Sequence, residues 1–285
     1  MSTVENIQVS IVTVCYNAEK VIEKTIQSVL SQTYTNFEYI IKDGGSNDAT
    51  NDIINKYAVK FKERNIQFVH MSCKDSGIYD AMNQATAIAA GKYINYMNAD
   101  DTFYDSHVLE RIFKECYHSE DILYGDSVCE YEFVRGKKEY TLWHGQDEDF
   151  KRMPFSHQAC FFKNALIKDY LYDIHYKSAA DYNALARAKS EGKKFAYIKT
   201  IVSLCTMDGV SNVNIKQSYL ETIEIKKKWG LVEFAERYEK ISITIMQVKQ
   251  WILRCVPRRI TGHLLRWQVK RSNTHIYSTL EEIKG

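Results

Sequence analysis

The first hundred residues alternate between short apolar runs and longer amphipathic stretches. The apolar runs are rich in β-branched residues, which is typical of strands buried on both faces. They lie at residues 8–15, 37–42, 66–71 and 92–97. The stretches between them carry apolar residues at helical spacing and predict helices. This alternation predicts an α/β fold with a mainly parallel sheet flanked by helices.

Capping and turn residues predict where these elements begin and end. Asp43-Gly44-Gly45 is a turn signal that closes the second strand. Ser46, Asn47 and Asp48 are natural N-cap residues for the next helix. Gly91 is expected as the glycine stop after the third helix, which spans residues 78–90.

Polar clusters follow each predicted strand. They are Tyr16-Asn17, Asp43 to Ser46, Asp75, and Asn98 to Asp101. In parallel α/β sheets the ligand crevice lies beyond the carboxyl ends of the strands. The clusters therefore predict a site at that edge of the sheet.

Composition narrows the class of protein. The formal net charge of +2 over 285 residues gives no general argument for nucleic-acid binding. The seven cysteines are odd in number and show no metal-binding spacing, so we expect a reducing, cytoplasmic location. Neither a signal peptide nor a run long enough to span a membrane is expected.

The character of the chain changes in the C-terminal region, residues 213–285, after a first domain of residues 1–212. Residues 226–271 hold twelve Lys and Arg against three Glu, with Trp229, Trp251 and Trp267 among them. Such a basic amphipathic region is able to lie on an anionic membrane surface. The alternative is a helical cap with a solvated basic face.

The Asn98-Ala99-Asp100-Asp101 segment offers carboxylates at a strand end, which suits a hard divalent cation. Magnesium commonly takes one or two protein carboxylates and fills its octahedron with water and phosphate oxygens. If the backbone stays extended, Asn98 and Asp100 lie on one face and Asp101 on the other.

Four motifs together resemble the inverting family 2 glycosyltransferases of the GT-A fold, most closely bacterial members that build exopolysaccharides, such as the colanic-acid group. These motifs are Tyr16-Asn17, Ser28 to Gln32, Asp43 to Asp48, and Gly91 through Asp101. The resemblance is strong over residues 7–105 and looser over 150–210. It implies a mixed, mainly parallel sheet and a C-terminal helical extension.

The resemblance implies a donor site for a nucleotide-diphosphate sugar. Asp43 matches the aspartate that accepts a hydrogen bond from the base, and an ionised carboxylate would select the imide N–H of uracil. Thr13 and Tyr16 would flank the nucleoside, and Asp75 would lie near the ribose or diphosphate. Asp43 is also readable as a turn residue, and Thr13 and Tyr16 as packing residues.

The resemblance also implies a Mg²⁺ or Mn²⁺ cofactor. Asp100 matches the metal-binding aspartate of a D-x-D motif, in which Asn98 replaces the first aspartate. Asn98 can offer a neutral carbonyl oxygen but no charge. Asp101 would contact the sugar or support the metal ligand.

The general base implied by the resemblance is Asp181, in a helix start where Ala180 replaces the family's glutamate. The alternative is that Asp181 caps its helix. His157 would border the acceptor pocket, or serve as a structural histidine. Asp208 lies in a segment that resembles a closing loop.

The implied reaction moves a sugar from a nucleotide donor to a hydroxyl of a glycan or lipid-linked acceptor. With the basic C-terminal region, we also expect the protein to associate peripherally with the inner face of the plasma membrane. Two alternatives stay open: a nucleotide-sugar-binding protein without transferase activity, and a sugar nucleotidyltransferase. No Gly-rich phosphate loop follows the first strand, which disfavours the nucleotidyltransferase and a dinucleotide oxidoreductase.

Overall fold

A nine-stranded mixed sheet forms the centre of the protein. The computed structural model describes residues 7–114, 118–134, 136–147, 150, 153–206, 215–231, 266 and 275–284. In these ranges the strands are β1 Val9–Cys15, β2 Phe37–Asp43, β3 Gln67–Ser72, β4 Tyr93–Tyr96, β5 Thr102–Phe103, β6 Ile122–Val134, β7 Lys137–Trp143, β8 Cys160–Lys163 and β9 Phe195–Thr206. The strand order is β3-β2-β1-β4-β8-β6-β9-β5, and β7 pairs with β6.

The first four strands form the parallel half of the sheet. β1 pairs in parallel with both β2 and β4, and β2 pairs in parallel with β3. β8 then runs antiparallel to both β4 and β6, which makes the sheet mixed. The expected α/β fold with a mainly parallel N-terminal sheet is confirmed.

Helices cover both faces of the sheet. They are α1 Ile22–Leu30, α2 Thr50–Glu63, α3 Ile78–Ile88, α4 Val108–Phe113, α5 Asn164–Tyr170, α6 Ala180–Ser190, α7 Ile215–Trp229 and α8 Glu281–Lys284. One apolar core lies under α1, α2 and α4, and a second lies under α3, α5 and α6. Every side chain of β1 and β2 is buried, as expected of strands with helices on both faces.

Two predicted element boundaries differ from the structure. α2 has Ala49 as its N-cap, while Asp48 accepts the Thr50 amide at 3.0 Å from just outside the helix. α3 ends at Ile88, so Gly91 is not its glycine stop. A Cβ at Gly91 would lie 2.4 Å from the Ser10 nitrogen, and the glycine therefore serves the close approach of the chain to β1.

The described parts of the C-terminal region pack on the rest of the protein. In α7, Ile225 is fully buried, and Trp229 Nε1 donates to Asn183 Oδ1 of α6 at 2.9 Å. Tyr277 pairs with Tyr140 of β7 in both backbone directions. Trp229 is thus a packing residue between α7 and α6.

Candidate active site

The predicted site edge is formed by the carboxyl ends of β1 to β4. Because β1 pairs in parallel with β2 and β4, and β2 with β3, the segments that follow these strands meet at one edge. This is where ligands bind in open α/β sheets. Tyr16, Asp43, Asp75 and the Asn98 to Asp101 segment all follow those strand ends.

The carboxylate of Asp43 organises the turn after β2. Its Oδ2 accepts the amides of Gly45 at 3.0 Å and Ser46 at 2.9 Å, and the Ser72 hydroxyl at 2.7 Å. The Ser46 hydroxyl contacts Oδ1. Burial raises the pKa of Asp43, but these hydrogen bonds outweigh it and hold that pKa below its ordinary value. A nucleotide base would reach the carboxylate only by displacing one of these donors.

A buried lysine joins this turn to the loop after β3. Lys42 Nζ donates to the carbonyls of Asp43 at 2.8 Å and Cys73 at 2.7 Å, and to Asp75 Oδ2 at 2.9 Å. The other oxygen of Asp75 accepts the Gly77 amide at 3.0 Å. All three protons of the ammonium group are therefore used, and the Asp75 carboxylate is fixed beside the Asp43 turn.

Tyr16 is the exposed aromatic residue at this turn. Its side chain is 64% exposed. A Cβ at Gly44 would lie 3.3 Å from the Tyr16 ring and 2.9 Å from Asp75 Oδ2. Gly44 thus leaves room between the two side chains, and the Tyr16 ring is open to a planar ligand.

Thr13 does not reach the surface at this edge of the sheet. Its side chain is fully buried, and its hydroxyl donates to the Met97 carbonyl at 2.7 Å and lies 2.9 Å from the Tyr39 hydroxyl. The structure therefore places Thr13 in the core between β1, β2 and β4, and not among the groups that would flank a nucleoside.

The Asn98 to Asp101 segment is a turn, so the strand alternation expected for it does not hold. The Asp101 amide donates to the Asn98 carbonyl at 3.1 Å, and Asp100 has a φ of 85°. Positive φ is uncommon for a residue with a side chain and marks a backbone held by its surroundings. Thr25 of α1 supplies that support: its hydroxyl accepts the Asp100 amide at 3.1 Å and donates to the Asp101 carbonyl at 2.8 Å.

Asp100 presents a partly exposed carboxylate. Its Oδ1 forms an ion pair with Lys24, and its Oδ2 accepts the Thr206 hydroxyl at 2.6 Å. Nearby in the same turn, Asn98 Oδ1 is a buried acceptor without a hydrogen-bond partner. An orphaned amide oxygen and a carboxylate are hard oxygen donors of the kind that Mg²⁺ and Mn²⁺ accept.

The donor set suits an ion that relies on few protein ligands. Within the described ranges, no three His, Cys, Asp or Glu residues gather into a potential metal site. A magnesium ion with one or two protein carboxylates and phosphate oxygens needs no such group. A cation at Asp100 would have to compete with Lys24.

Asp101 is a nearly buried carboxyl group. Its Oδ2 accepts Gln158 Nε2 at 2.7 Å. Burial raises the pKa of Asp101 to about 7, with the nearby Asp100 charge adding to the rise and the Gln158 hydrogen bond opposing it. Asp101 thus holds the strand-end turn against the segment that carries His157.

Asp181 lies in the first turn of α6. Its Oδ1 accepts the Tyr79 hydroxyl at 3.1 Å and the Tyr182 amide at 2.8 Å. The loop that leads into this helix is held by Glu221 of α7, whose carboxylate accepts the amides of Lys177 at 2.9 Å and Ser178 at 2.8 Å. Helix α7 therefore takes part in placing Asp181.

His157 lies in the core behind Asp181. Its Nε2 is 2.7 Å from the Tyr172 hydroxyl, and its ring stacks on Tyr96 with centroids 5.2 Å apart. Burial lowers the pKa of His157, and the negative charge of Asp181 only partly opposes this. The ring is therefore neutral at physiological pH. The position of Asp208 lies outside the described residues.

Hydrogen bonds tie several of the predicted site residues to neighbouring elements. The Lys42–Asp75 pair leads to the start of α3, and Tyr79 in the first turn of α3 reaches Asp181. Gln158 ties Asp101 to the segment next to His157. The sequence did not predict three residues that support the site: Lys42, Tyr79 and Gln158. For Lys42 there was a signal, because it is a lysine inside an apolar strand.

None of the described helices is at once long and apolar enough to cross a bilayer. The predicted contact with an anionic membrane surface involves basic residues of 232–265 and 267–274. These two segments lie outside the described ranges.

Comparisons with known proteins agree with this architecture. The model of glycosyl transferase family 2 matches residues 10–174. A PGL/p-HBAD biosynthesis glycosyltransferase of Mycobacterium bovis is 27% identical over 267 residues, which cover 92% of this chain and 98% of that protein. The Escherichia coli UDP-Glc:alpha-D-GlcNAc-diphosphoundecaprenol beta-1,3-glucosyltransferase WfaP is 40% identical over 104 residues, or 36% of this chain and 39% of WfaP.

The solved structure of S. aureus TarS 1-349 in complex with UDP-GlcNAc matches with a TM-score of 0.56 at 19% identity. The match covers 81% of this chain and 69% of TarS 1-349. At this identity the likeness concerns the fold, which is the GT-A fold. The family match extends over more than half of the chain, and we conclude that this protein is a glycosyltransferase that belongs to glycosyl transferase family 2.

Proposed function

We propose that the protein transfers a sugar with inversion from a nucleotide-diphosphate donor, with a UDP-sugar as the first choice, to a hydroxyl of a glycan or lipid-linked glycan. The product would belong to a bacterial surface polysaccharide or glycolipid. The observation that carries this proposal is a series of contacts: Lys42 ties the Asp43 turn to Asp75, Asp75 accepts the Gly77 amide at the start of α3, and Tyr79 of α3 donates to Asp181. These contacts support a donor site at the Asp43 turn and a base at Asp181.

The names of the relatives support the choice of donor and acceptor. WfaP is named for UDP-Glc and alpha-D-GlcNAc-diphosphoundecaprenol, and the mycobacterial relative is named for PGL/p-HBAD biosynthesis. For this chain, Tyr16 would stack on the base. The Asp43 turn and Asp75 would line the nucleoside and diphosphate.

Asp181 would act as the general base. Both described hydrogen bonds to its carboxylate go to Oδ1, so Oδ2 would take the proton of the acceptor hydroxyl as that oxygen attacks C1 of the sugar. The bond from C1 to the diphosphate oxygen breaks on the opposite side, which inverts the anomeric centre. General-base assistance is worth on the order of 10²–10⁴-fold in rate.

The residues that would hold a divalent cation are Asp100 and Asn98, and the ion would supply Lewis-acid stabilisation of the leaving diphosphate. Lys24, which pairs with Asp100 here, would be freed to face the same phosphates. Asp101 and Gln158 would keep the turn in place.

A nucleotide-sugar-binding protein without turnover is the second candidate. The Lys24–Asp100 pair favours it, because the ammonium group already neutralises the carboxylate that would hold the cation. An assay of nucleotide release separates the two. The protein is incubated with UDP-, GDP- and dTDP-sugars, with Mn²⁺ or Mg²⁺ and without metal. Release of one nucleotide above the background supports the transferase, whereas saturable binding without release supports the second candidate.

A peripheral membrane position is part of the proposal and rests on the basic C-terminal region. Point substitutions test this role better than a truncation from residue 226, because that truncation would also remove Trp229, which packs on α6. Substitution of Arg258 and Arg259 by Gln should lower binding to anionic vesicles, and the matched pair Lys60→Gln and Lys62→Gln on α2 should not. Equal loss in both variants would exclude a specific role for the C-terminal charges.

A further inference from the structure

Helix α3 begins at the donor side of the site. Gly77, its N-cap, has a φ of 130°, a conformation that favours glycine. The Gly77 amide donates to Asp75 Oδ1, and the Ser76 amide donates to Asp80 Oδ2 at 2.8 Å. The first turn of α3 is therefore fixed relative to the Lys42–Asp75 pair.

Tyr79 in this first turn points toward Asp181. Its side chain is buried in the core under α3, with its ring centroid 5.6 Å from that of Tyr172. Its hydroxyl donates to Asp181 Oδ1 at 3.1 Å. Burial, followed by the charge of Asp181, raises the pKa of Tyr79 well above its ordinary value. The hydroxyl consequently stays protonated and can only donate to the carboxylate.

The same face of α3 holds the residues that surround Tyr79. Asn83 forms two hydrogen bonds with the Tyr172 backbone. Its Nδ2 donates to the carbonyl at 2.8 Å, and its Oδ1 accepts the amide at 2.7 Å. The Thr86 hydroxyl oxygen lies 2.5 Å from the Tyr96 hydroxyl oxygen. Tyr79, Asn83 and Thr86 are spaced by four and three residues, which places them on one side of the helix.

We propose that Tyr79 is a positioning residue for Asp181, a role that rests on the proposed function. Its hydroxyl fixes Oδ1, so that Oδ2 faces the acceptor hydroxyl in one orientation. Because Tyr79 and Gly77 belong to the same turn, the donor-side Asp75 loop and the base are held by a single rigid element. A base kept in one geometry contributes more than a mobile one, since catalysis depends on alignment of the reacting atoms.

The groups that face Asp181 are Tyr79 from α3, His157 from the turn before β8, and Tyr172 from the loop after α5. His157 is neutral and Tyr172 stays protonated, because burial raises the pKa of that phenol well above its ordinary value. In general, a hydroxyl that donates to a carboxylate stabilises the charged form more than the protonated form.

The substitution Tyr79→Phe removes this donor and keeps the ring. We expect kcat to fall about tenfold with the donor KM within about twofold, because without this hydrogen bond the base leaves the aligned geometry on which the rate depends. The acid limb of the kcat profile should move to higher pH. The matched control is Tyr93→Phe, since Tyr93 is also buried and its hydroxyl donates to the Glu120 carbonyl at 2.8 Å, away from the site. It should lose stability without a change in kcat or in the pH profile.

The double variant Tyr79→Phe/Asp181→Asn distinguishes positioning from a general structural effect. If Tyr79 acts through Asp181, adding Tyr79→Phe to Asp181→Asn causes no further loss of kcat beyond that of Asp181→Asn alone. An additive loss, or a Tyr79→Phe variant with the wild-type kcat and pH profile, would overturn the role of Tyr79 while the base assignment stands. An Asp181→Asn variant with full activity would overturn both.

Discussion

Lys42 and Asp75 form an ion pair of 2.9 Å between Nζ and Oδ2, and no part of the lysine side chain is exposed. The pair joins the ends of β2 and β3 at the edge where the proposed donor would bind. The Lys42 ammonium group has no proton left to donate to water, because its two other protons are donated to backbone carbonyls. The shape of the donor side of the cleft therefore depends on a charge in the core.

Removal of the buried lysine should be costly. Lys42→Met removes one donor from each of the Asp43 and Cys73 carbonyls and leaves the Asp75 carboxylate without its buried counter-charge, and we expect a loss of about 3–5 kcal/mol in the free energy of unfolding. Urea denaturation measures it. The control is Lys114→Met, which removes an exposed pair with Glu110 at 2.6 Å and should cost less than about 1 kcal/mol. Equal losses in both variants would contradict the importance of the buried pair.

Tyr16 should contribute to nucleotide affinity and little to stability. Its exposed ring has no packing role that its removal would disturb. Tyr16→Ala should raise the Kd for the donor nucleotide about 5- to 15-fold, since an aromatic stacking contact is worth about 1–1.5 kcal/mol. Tyr16→Phe keeps the ring and should bind as the wild type does. Calorimetric titration with UDP decides this, and an unchanged Kd in the alanine variant would remove Tyr16 from the donor site.

His157 should make stability depend on pH. Its pKa is lowered in the folded protein, so its contribution is complete above the unfolded value of about 6.5 and is lost as the pH falls below that value. The loss grows as the pH falls from 6.5 to 5.5, and the uptake of a single proton limits it to about 1 kcal/mol over that interval. The variant His157→Gln should show a flatter dependence in unfolding experiments at pH 7.5 and 5.5. The exposed His175→Gln should keep the wild-type slope, and a wild-type slope in both would contradict the neutral buried state of His157.

A divalent cation should bind at Asp100. Treatment with EDTA should lower nucleotide release by at least about tenfold, and added Mn²⁺ or Mg²⁺ should restore it. Restoration should fail in Asp100→Asn and persist in the exposed control Asp52→Asn. Binding of Mn²⁺ measured by paramagnetic resonance gives a readout that is independent of turnover. Full activity in EDTA would show that transfer needs no divalent cation at this carboxylate.

The N-terminal strands and helices were predictable because their patterns are strong. Continuous β-branched runs and helically spaced apolar residues leave few other ways of burying the same side chains. The edge that carries the candidate site follows from the same pattern, since parallel strands end together.

The orientation of individual side chains was not predictable. Thr13 has the alternation of a strand residue, yet only the pairing of β1 with β2 and β4 shows that its hydroxyl is used inside the core. Asp100 leaves the strand pattern because Thr25, 75 residues earlier in the chain, holds its backbone at positive φ. Gly91 resembles a helix stop, but its lack of a side chain is required by a contact with Ser10. Each of these depends on long-range contacts that no local pattern contains.

The most direct test of the account is the rate of sugar transfer by Asp181→Asn, measured together with the Kd for the donor nucleotide. The asparagine keeps the size of the side chain and can still accept the Tyr79 hydroxyl, but it cannot take a proton. We predict a fall in kcat of about 10²–10⁴-fold with an unchanged nucleotide Kd. Transfer at the wild-type rate by this variant would contradict the assignment of Asp181 as the base.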